Sequence, residues 1–148
     1  MFDEVTAGTL ARAGWFPGRS VNIDHWAGLL RDEGIELHAA AEAFLREFGG
    51  LVVDKSGPGI SRAREPFTLD PATCVGEGDR FLEWSEELGR RIVPVGELGQ
   101  GRFFLGLDET SELCLVETYV ATFGRMPAGL KRLMRGAMPV VPGAAFGP

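Results

Sequence analysis

Histidine and cysteine are scarce in this 148-residue chain, with two of each, and the acidic residues outnumber the basic ones by 21 to 15. Each shortage excludes something. Cys74 and Cys114 are too few and too far apart for a zinc knuckle or a redox pair, and read as reduced thiols in or near a core. His25 and His38 lack the i, i+4 or strand spacing that a metal site needs, and neither has a Ser or Cys nucleophile beside it in sequence. Surface or helix-capping roles suit them better, and no metal or cofactor is expected. A net charge of −6 and a pI near 5.0 argue against direct nucleic-acid binding, which needs a basic surface to neutralise phosphates. No apolar run approaches the roughly 18 residues that span a bilayer. Met1-Phe2-Asp3-Glu4 lacks the basic start of a secretion signal, so a cytoplasmic protein is expected.

What is present fits one soluble domain. Hydrophobic residues make up 45% and charged residues 24%, and 10 Phe with 3 Trp supply ample core material. A chain of this length buries roughly 70% of its unfolded surface and needs no covalent or metal staple. The 21 Gly and 9 Pro are too many for one long helical bundle and imply many turns between short elements. Charge is uneven: residues 1–120 hold 11 basic and 21 acidic side chains, a net of −10, whereas residues 121–148 hold Arg125, Lys131, Arg132 and Arg135 and no acid.

Periodicity places the elements. Asp3 to Ala13 is helix-like, with Val5, Thr9 and Ala13 four apart, and Gly14 ends it. Asp24 is suited to cap a second helix carrying Trp26, Ala27 and Leu30 on one face. The strongest helix runs from His38 to Phe48, where Ala40, Phe44 and Phe48 recur at four and Ala41 and Leu45 share the face. Gly49-Gly50 stops it, and Leu51 to Val53 and Pro66 to Asp70 read as short strands around a polar loop. Asp79 to Leu88 is a further helix with Phe81, Trp84, Ser85 and Leu88 facing inward. Ile92–Gly96, Phe103–Leu107 and Leu113–Val116 then form an antiparallel meander, with Pro94 at an edge or strand end and Val120 extending a fourth strand or an irregular link. Pro127 introduces a last helix burying Leu130, Leu133 and Met134. Helices followed by strands predict an α+β fold, with helices packed on a mostly antiparallel sheet, as a single domain over 1–136 and a disordered Pro/Gly-rich tail over 137–148.

Two stretches invite a chemical reading. Gly96 to Gly101 is glycine-rich, but it joins two strands and does not open a helix, so a hairpin turn is expected and not a phosphate loop. Glu77, Asp79, Glu83, Glu86 and Glu87 form an acidic run with only Arg80 opposing them. On a helix Asp79, Glu83, Glu86 and Glu87 share the face opposite Phe81 and Leu88. Such a face is either simply solvated or a docking surface for a basic partner, with Trp84 as an aromatic anchor if it is not core. Paired carboxylates can also serve acid–base chemistry, but no nucleophile–base pair or metal set accompanies them.

The order of several short motifs carries a resemblance. Gly14-Trp15-Phe16-Pro17-Gly18-Arg19 resembles the GW-x-PGR signature of the third group of SUKH superfamily immunity proteins. Phe44 to Leu51 is similar to that group's FL-x-EFGGL junction, and Leu88-Gly89 with Ile92-Val93-Pro94-Val95-Gly96 to its next segment. Leu105-Gly106-Leu107-Asp108 resembles a strand with an acidic end, and Gly124 to Gly136 the closing helix. The chain departs from the pattern after Asp108, where Glu109-Thr110-Ser111-Glu112 replaces a glycine–aromatic start, which puts that hairpin's geometry in question. The physical reading of Trp15, Pro17, Gly18, Arg19, Gly49, Gly50, Pro94 and Gly96 is mostly structural: Trp15 and Phe16 cover one end of the core, and Arg19 pairs with Glu47 or anchors a loop carbonyl.

The resemblance implies a bacterial immunity protein: a non-catalytic inhibitor that binds a cognate toxin domain, such as a nuclease or nucleic-acid deaminase, through protein–protein contact. Asp79, Glu83, Trp84, Glu86 and Glu87 are the expected partner-binding residues. A regulatory binding module of the same fold, with no toxin partner, is the alternative.

Overall fold

The computed structural model describes residues 2–141. Five α-helices surround one six-stranded antiparallel sheet, an α+β domain. The helices are α1 (Glu4–Arg12), α2 (Asp24–Asp32), α3 (Ala39–Phe48), α4 (Gly78–Leu88) and α5 (Ala128–Arg135). The strands, β1 (Val52–Val53), β2 (Phe67–Thr68), β3 (Val93–Leu98), β4 (Phe103–Leu107), β5 (Glu112–Val116) and β6 (Val120–Arg125), lie in sequence order, so every neighbouring pair joins without a crossover.

Alternation along the meander divides the core. Leu105, Leu107, Leu113, Leu115 and Phe123 face one side and pack with Leu10 of α1, Phe44, Leu45 and Phe48 of α3, and Leu130 of α5. Phe104, Cys114 and Val116 face the other side and meet Phe81 of α4 with Ile35, Ile92 and Val93. Gly106 belongs to this second face, where a Cβ would press against Ile92 and the Phe81 ring. Both thiols are buried and pushed up to about 12 by that burial, so neither is a reactive nucleophile.

The structure departs from the sequence expectations at some positions and decides between alternatives at others. In α1 the inward residues are Thr6 and Leu10, and Val5 is 74% exposed. With Leu10 the one large apolar side chain beyond Val5, the stripe was too sparse to fix the face. Asp24 is the first helical residue and not the cap; its own N–H is held by Asn22 Oδ1 at 2.8 Å. Pro94 is the second residue of β3, as the strand-end expectation had it, in the part that β2 is too short to reach, so its missing N–H takes nothing from the β2 ladder. Val120 begins a full strand. A single 3₁₀ turn at Pro71–Cys74, between β2 and α4, had no sequence signal strong enough to place it. The stretch expected to be a disordered tail is described as far as Val141, and there Val140 pairs with Thr122 through two backbone bonds of 2.7 and 2.9 Å. Residues 142–148 lie outside the described residues.

The motif residues lock α3 to the chain around it. Trp15 Nε1 donates to Glu47 Oε2 at 3.0 Å, while the Arg19 guanidinium donates to the carbonyls of Glu47 (2.6 Å) and Gly49 (2.7 Å). Arg19 therefore binds the unpaired carbonyl end of α3 and not the Glu47 carboxylate. Trp15 stacks edge-on with Phe2 and packs on the core, whereas Phe16 is 56% exposed and covers nothing. Gly49 has no room for a side chain: a Cβ there would meet the Leu45 carbonyl and come within 2.5 Å of the Trp26 ring. Gly50, at φ +86°, turns the chain into β1 in a conformation that favours glycine. Pro17 and Gly18 (φ +85°) make the exposed turn before Arg19, and at Gly96 a Cβ would collide with the Thr68 carbonyl of the neighbouring β2.

Candidate functional site

The acidic helix α4 is fastened to the body by its opposite face and its start. Phe81 is fully buried against Phe104, with ring centroids 6.4 Å apart. Trp84 is half-buried on the same cluster, and its Nε1 donates to the Glu117 carbonyl at 3.1 Å. Arg80 reaches Glu117 at 2.5 Å and Glu77 at 3.5 Å, so the one basic residue within the run is already engaged. No side chain of α4's own N-terminus caps it; instead Glu33, from the end of α2, accepts the N–H groups of Gly76 (3.0 Å) and Gly78 (2.9 Å). Replacing Glu33 with Ala leaves those donors to water and removes a negative charge from the positive end of the helix. The expected cost is about 1 kcal/mol, read as an earlier loss of hydrogen-exchange protection in α4 than in the meander.

The outer face is different. Asp79, Glu83, Glu86 and Glu87 are all exposed, and among the described residues none of them forms a salt bridge. Glu86 and Glu87 occupy the last turn of α4, where no basic residue stands and the helix dipole already presents its negative end. Two carboxylates in that position oppose helix stability, so the fold does not explain them. At 100° per residue Leu82 falls on the same side, 41% exposed among the acids, at the rim of a 250 Å³ cleft with Ile35, Ser85, Arg91, Ile92 and Val93. Leu82 is an exposed apolar residue of this face that the sequence expectations left out, although the helical wheel already places it beside Glu86. The α4 surface is thus an acidic rim with an apolar step, while Trp84 faces the core and is occupied in holding the helix in place.

The two histidines take the capping and surface positions expected of them. His38 Nδ1 accepts the Ala41 N–H at 3.1 Å and caps α3, so its hydrogen sits on Nε2, which points at the carbonyls of Arg91 (2.9 Å) and Leu107 (3.1 Å). His25 is exposed and stacks on Trp26 at 4.4 Å. Of the glycine-rich stretch, Gly96 to Leu98 ends β3 and residues 99–102 make the hairpin turn into β4. Among the described residues no three His, Cys, Asp or Glu side chains come together as a metal site would require. No helix there is long and apolar enough to cross a membrane.

The acidic end of β4 has a clear physical task. Asp108 is 1% exposed, and its Oδ1 accepts the Thr110 N–H (2.9 Å), the Thr110 hydroxyl (2.7 Å) and the Glu112 N–H (3.0 Å). This carboxylate folds the β4–β5 turn although no glycine is present; Ser111 takes the positive φ, +68°, that a glycine would ordinarily supply.

Searches of the curated proteins and of the solved structures found no match. Among models of known families, that of the SUKH-3 immunity protein matches residues 2–136, which takes in every element described, from α1 to α5. The chain belongs to the SUKH-3 immunity protein family.

Proposed function

We propose that this protein neutralises a cognate bacterial toxin domain by binding it, without catalysis, in the cytoplasm of the cell it protects, and that the outer face of α4 makes the contact. Family membership supports the toxin as partner. The observation that carries the choice of face is the unpaired set Asp79, Glu83, Glu86 and Glu87, with two acids at the unfavourable end of the helix. A nuclease or nucleic-acid deaminase suits such a face, because a channel built for phosphates is basic and an acidic helix can occupy it. Leu82 adds a desolvated contact within the charged rim, and the charges raise the association rate and disfavour wrong partners. A standard interface of about 1,600 Å² in total is large enough for nanomolar binding when well packed.

The biological test is co-expression with the toxin domain encoded beside this protein. Wild-type protein is expected to restore growth, and a D79S/E83S/E86S/E87S variant at equal soluble level is expected to fail. Full protection by that variant would move the contact to another surface; no protection by the wild type against any adjacent toxin would favour a regulatory module of the same fold.

A further inference from the structure

A second charged surface lies on the side away from α4. A cleft of about 440 Å³ opens between α1, the 54–64 loop and the C-terminal turn of α5; these helices pack on the sheet face opposite the one α4 covers. Its walls carry Lys55, Arg64 and Arg135 among the apolar side chains of Val5, Ile60 and Met134. Val5 is 74% and Ile60 69% exposed, the two most exposed large aliphatic side chains among the described residues, and both line this one cleft beside the cations.

The charged groups in and beside the cleft are unevenly satisfied. Asp3 is engaged: its Oδ2 lies 3.2 Å from Lys131 Nζ and 2.9 Å from Arg135 Nη2, and its Oδ1 accepts the Thr6 N–H. That set, led by the Thr6 N–H, holds the Asp3 carboxyl well below the usual carboxylate range, so it stays ionised and paired. Lys55 and Arg64 make no side-chain hydrogen bond or ion pair among the described residues. Arg64 is the more telling. It is half-buried, with its stem against Gly136, and its Nε is shut off from water with no acceptor. An incoming carboxylate cannot reach that enclosed Nε; it would meet the outer part of the guanidinium, which has no ion pair among the described residues and whose fork geometry matches a carboxylate.

We propose that this cleft is a second docking site, for an acidic segment of a protein partner that presents carboxylates beside an aliphatic or aromatic side chain. The carboxylates bind Arg64 and Lys55, and the apolar side chain covers Val5 and Ile60. Charge complementarity selects an acidic partner, and the aliphatic walls select a polypeptide over a free anion, which would leave Val5 and Ile60 in water. The site does not depend on the α4 reading and is tested apart from it.

The test is a titration of the ¹⁵N-labelled full chain with an octapeptide carrying two glutamates on each side of a phenylalanine, followed by amide shifts. Saturable shifts confined to residues 5–9, 55–64 and 134–135 are expected. K55E and R64Q should each weaken the peptide at least tenfold with unchanged urea midpoints, and E83S on α4 should leave it unaltered. If R64Q disturbs folding, K55E alone decides. Shifts that do not saturate, shifts elsewhere, or insensitivity to K55E would overturn the proposal. So would saturation of the same amides by inorganic phosphate or a single-stranded oligonucleotide at lower concentration than the peptide.

Discussion

Replacing Asp108 with Ala is expected to remove about 3 kcal/mol of stability, because it strips the buried acceptor from three part-buried donors at once, about 1 kcal/mol for each bond. For a domain whose total stability is about 5–15 kcal/mol, that is a large share, and it corresponds to a melting temperature lower by about 10 °C. The loss has a second component. Arg90 reaches Glu112 at 2.5 Å and Asp108 at 3.5 Å, so the guanidinium that ties the end of α4 to the β4–β5 turn loses one of its two carboxylates. Asn at the same position keeps an oxygen for the backbone donors but not the charge, and should recover more than half of the loss. Urea unfolding of the three proteins checks this. Equal stability of the Asp108→Ala protein and the wild type would mean that the turn is organised by the meander and not by the carboxylate.

The second large effect concerns binding. Changing Asp79, Glu83, Glu86 and Glu87 to Ser is expected to weaken binding of the cognate toxin at least 100-fold, about 2.7 kcal/mol, through both slower association and faster release. The same change should not destabilise the free protein. Like charges at helical spacing disfavour the helix by a few tenths of a kcal/mol each and Glu86 and Glu87 oppose the dipole, which offsets the loss of the favourable first-turn charge of Asp79, so the unfolding midpoint should stay level or rise slightly. That pairing of outcomes separates a docking face from a merely solvated one. A solvated face gives the gain in stability without the loss in affinity. Raising the salt should erode the wild-type advantage, since exposed charges are screened beyond about 8 Å at physiological ionic strength.

How far the chain could be read without its structure depended on how much apolar material each element holds. In α3 the repeat of Ala40, Phe44 and Phe48 with Ala41 and Leu45 fixed both the helix and its buried face, and the meander strands stood out as apolar runs between glycine turns. In α1, rich in Ala, Gly and Thr, the helix was legible and its inward face was not. Pairings between distant segments were invisible: that Arg19 would bind the end of α3 through carbonyls, or that Glu33 would cap α4, follows from tertiary placement and leaves no spacing to detect. The candidate site divides in the same way. Spacing placed the four α4 acids on one face, but only the structure shows that none forms a salt bridge among the described residues and that Arg80, the one cation in the run, is turned to Glu117. The cleft of Lys55, Arg64 and Arg135 could not be foreseen, since its residues come from three separate stretches of chain. Likewise the basic C-terminal segment is less free than its charge suggested: Lys131 and Arg135 are paired with Asp3, and Arg132 donates to the Phe123 carbonyl at 2.9 Å.

The most direct test of the account is isothermal titration of the purified full chain, and of its D79S/E83S/E86S/E87S variant, against the toxin domain encoded next to it. The account predicts one-to-one binding that is nanomolar or tighter for the wild type and at least 100-fold weaker for the variant, with the variant as stable as the parent. Affinity within twofold of the wild type in that variant would contradict it.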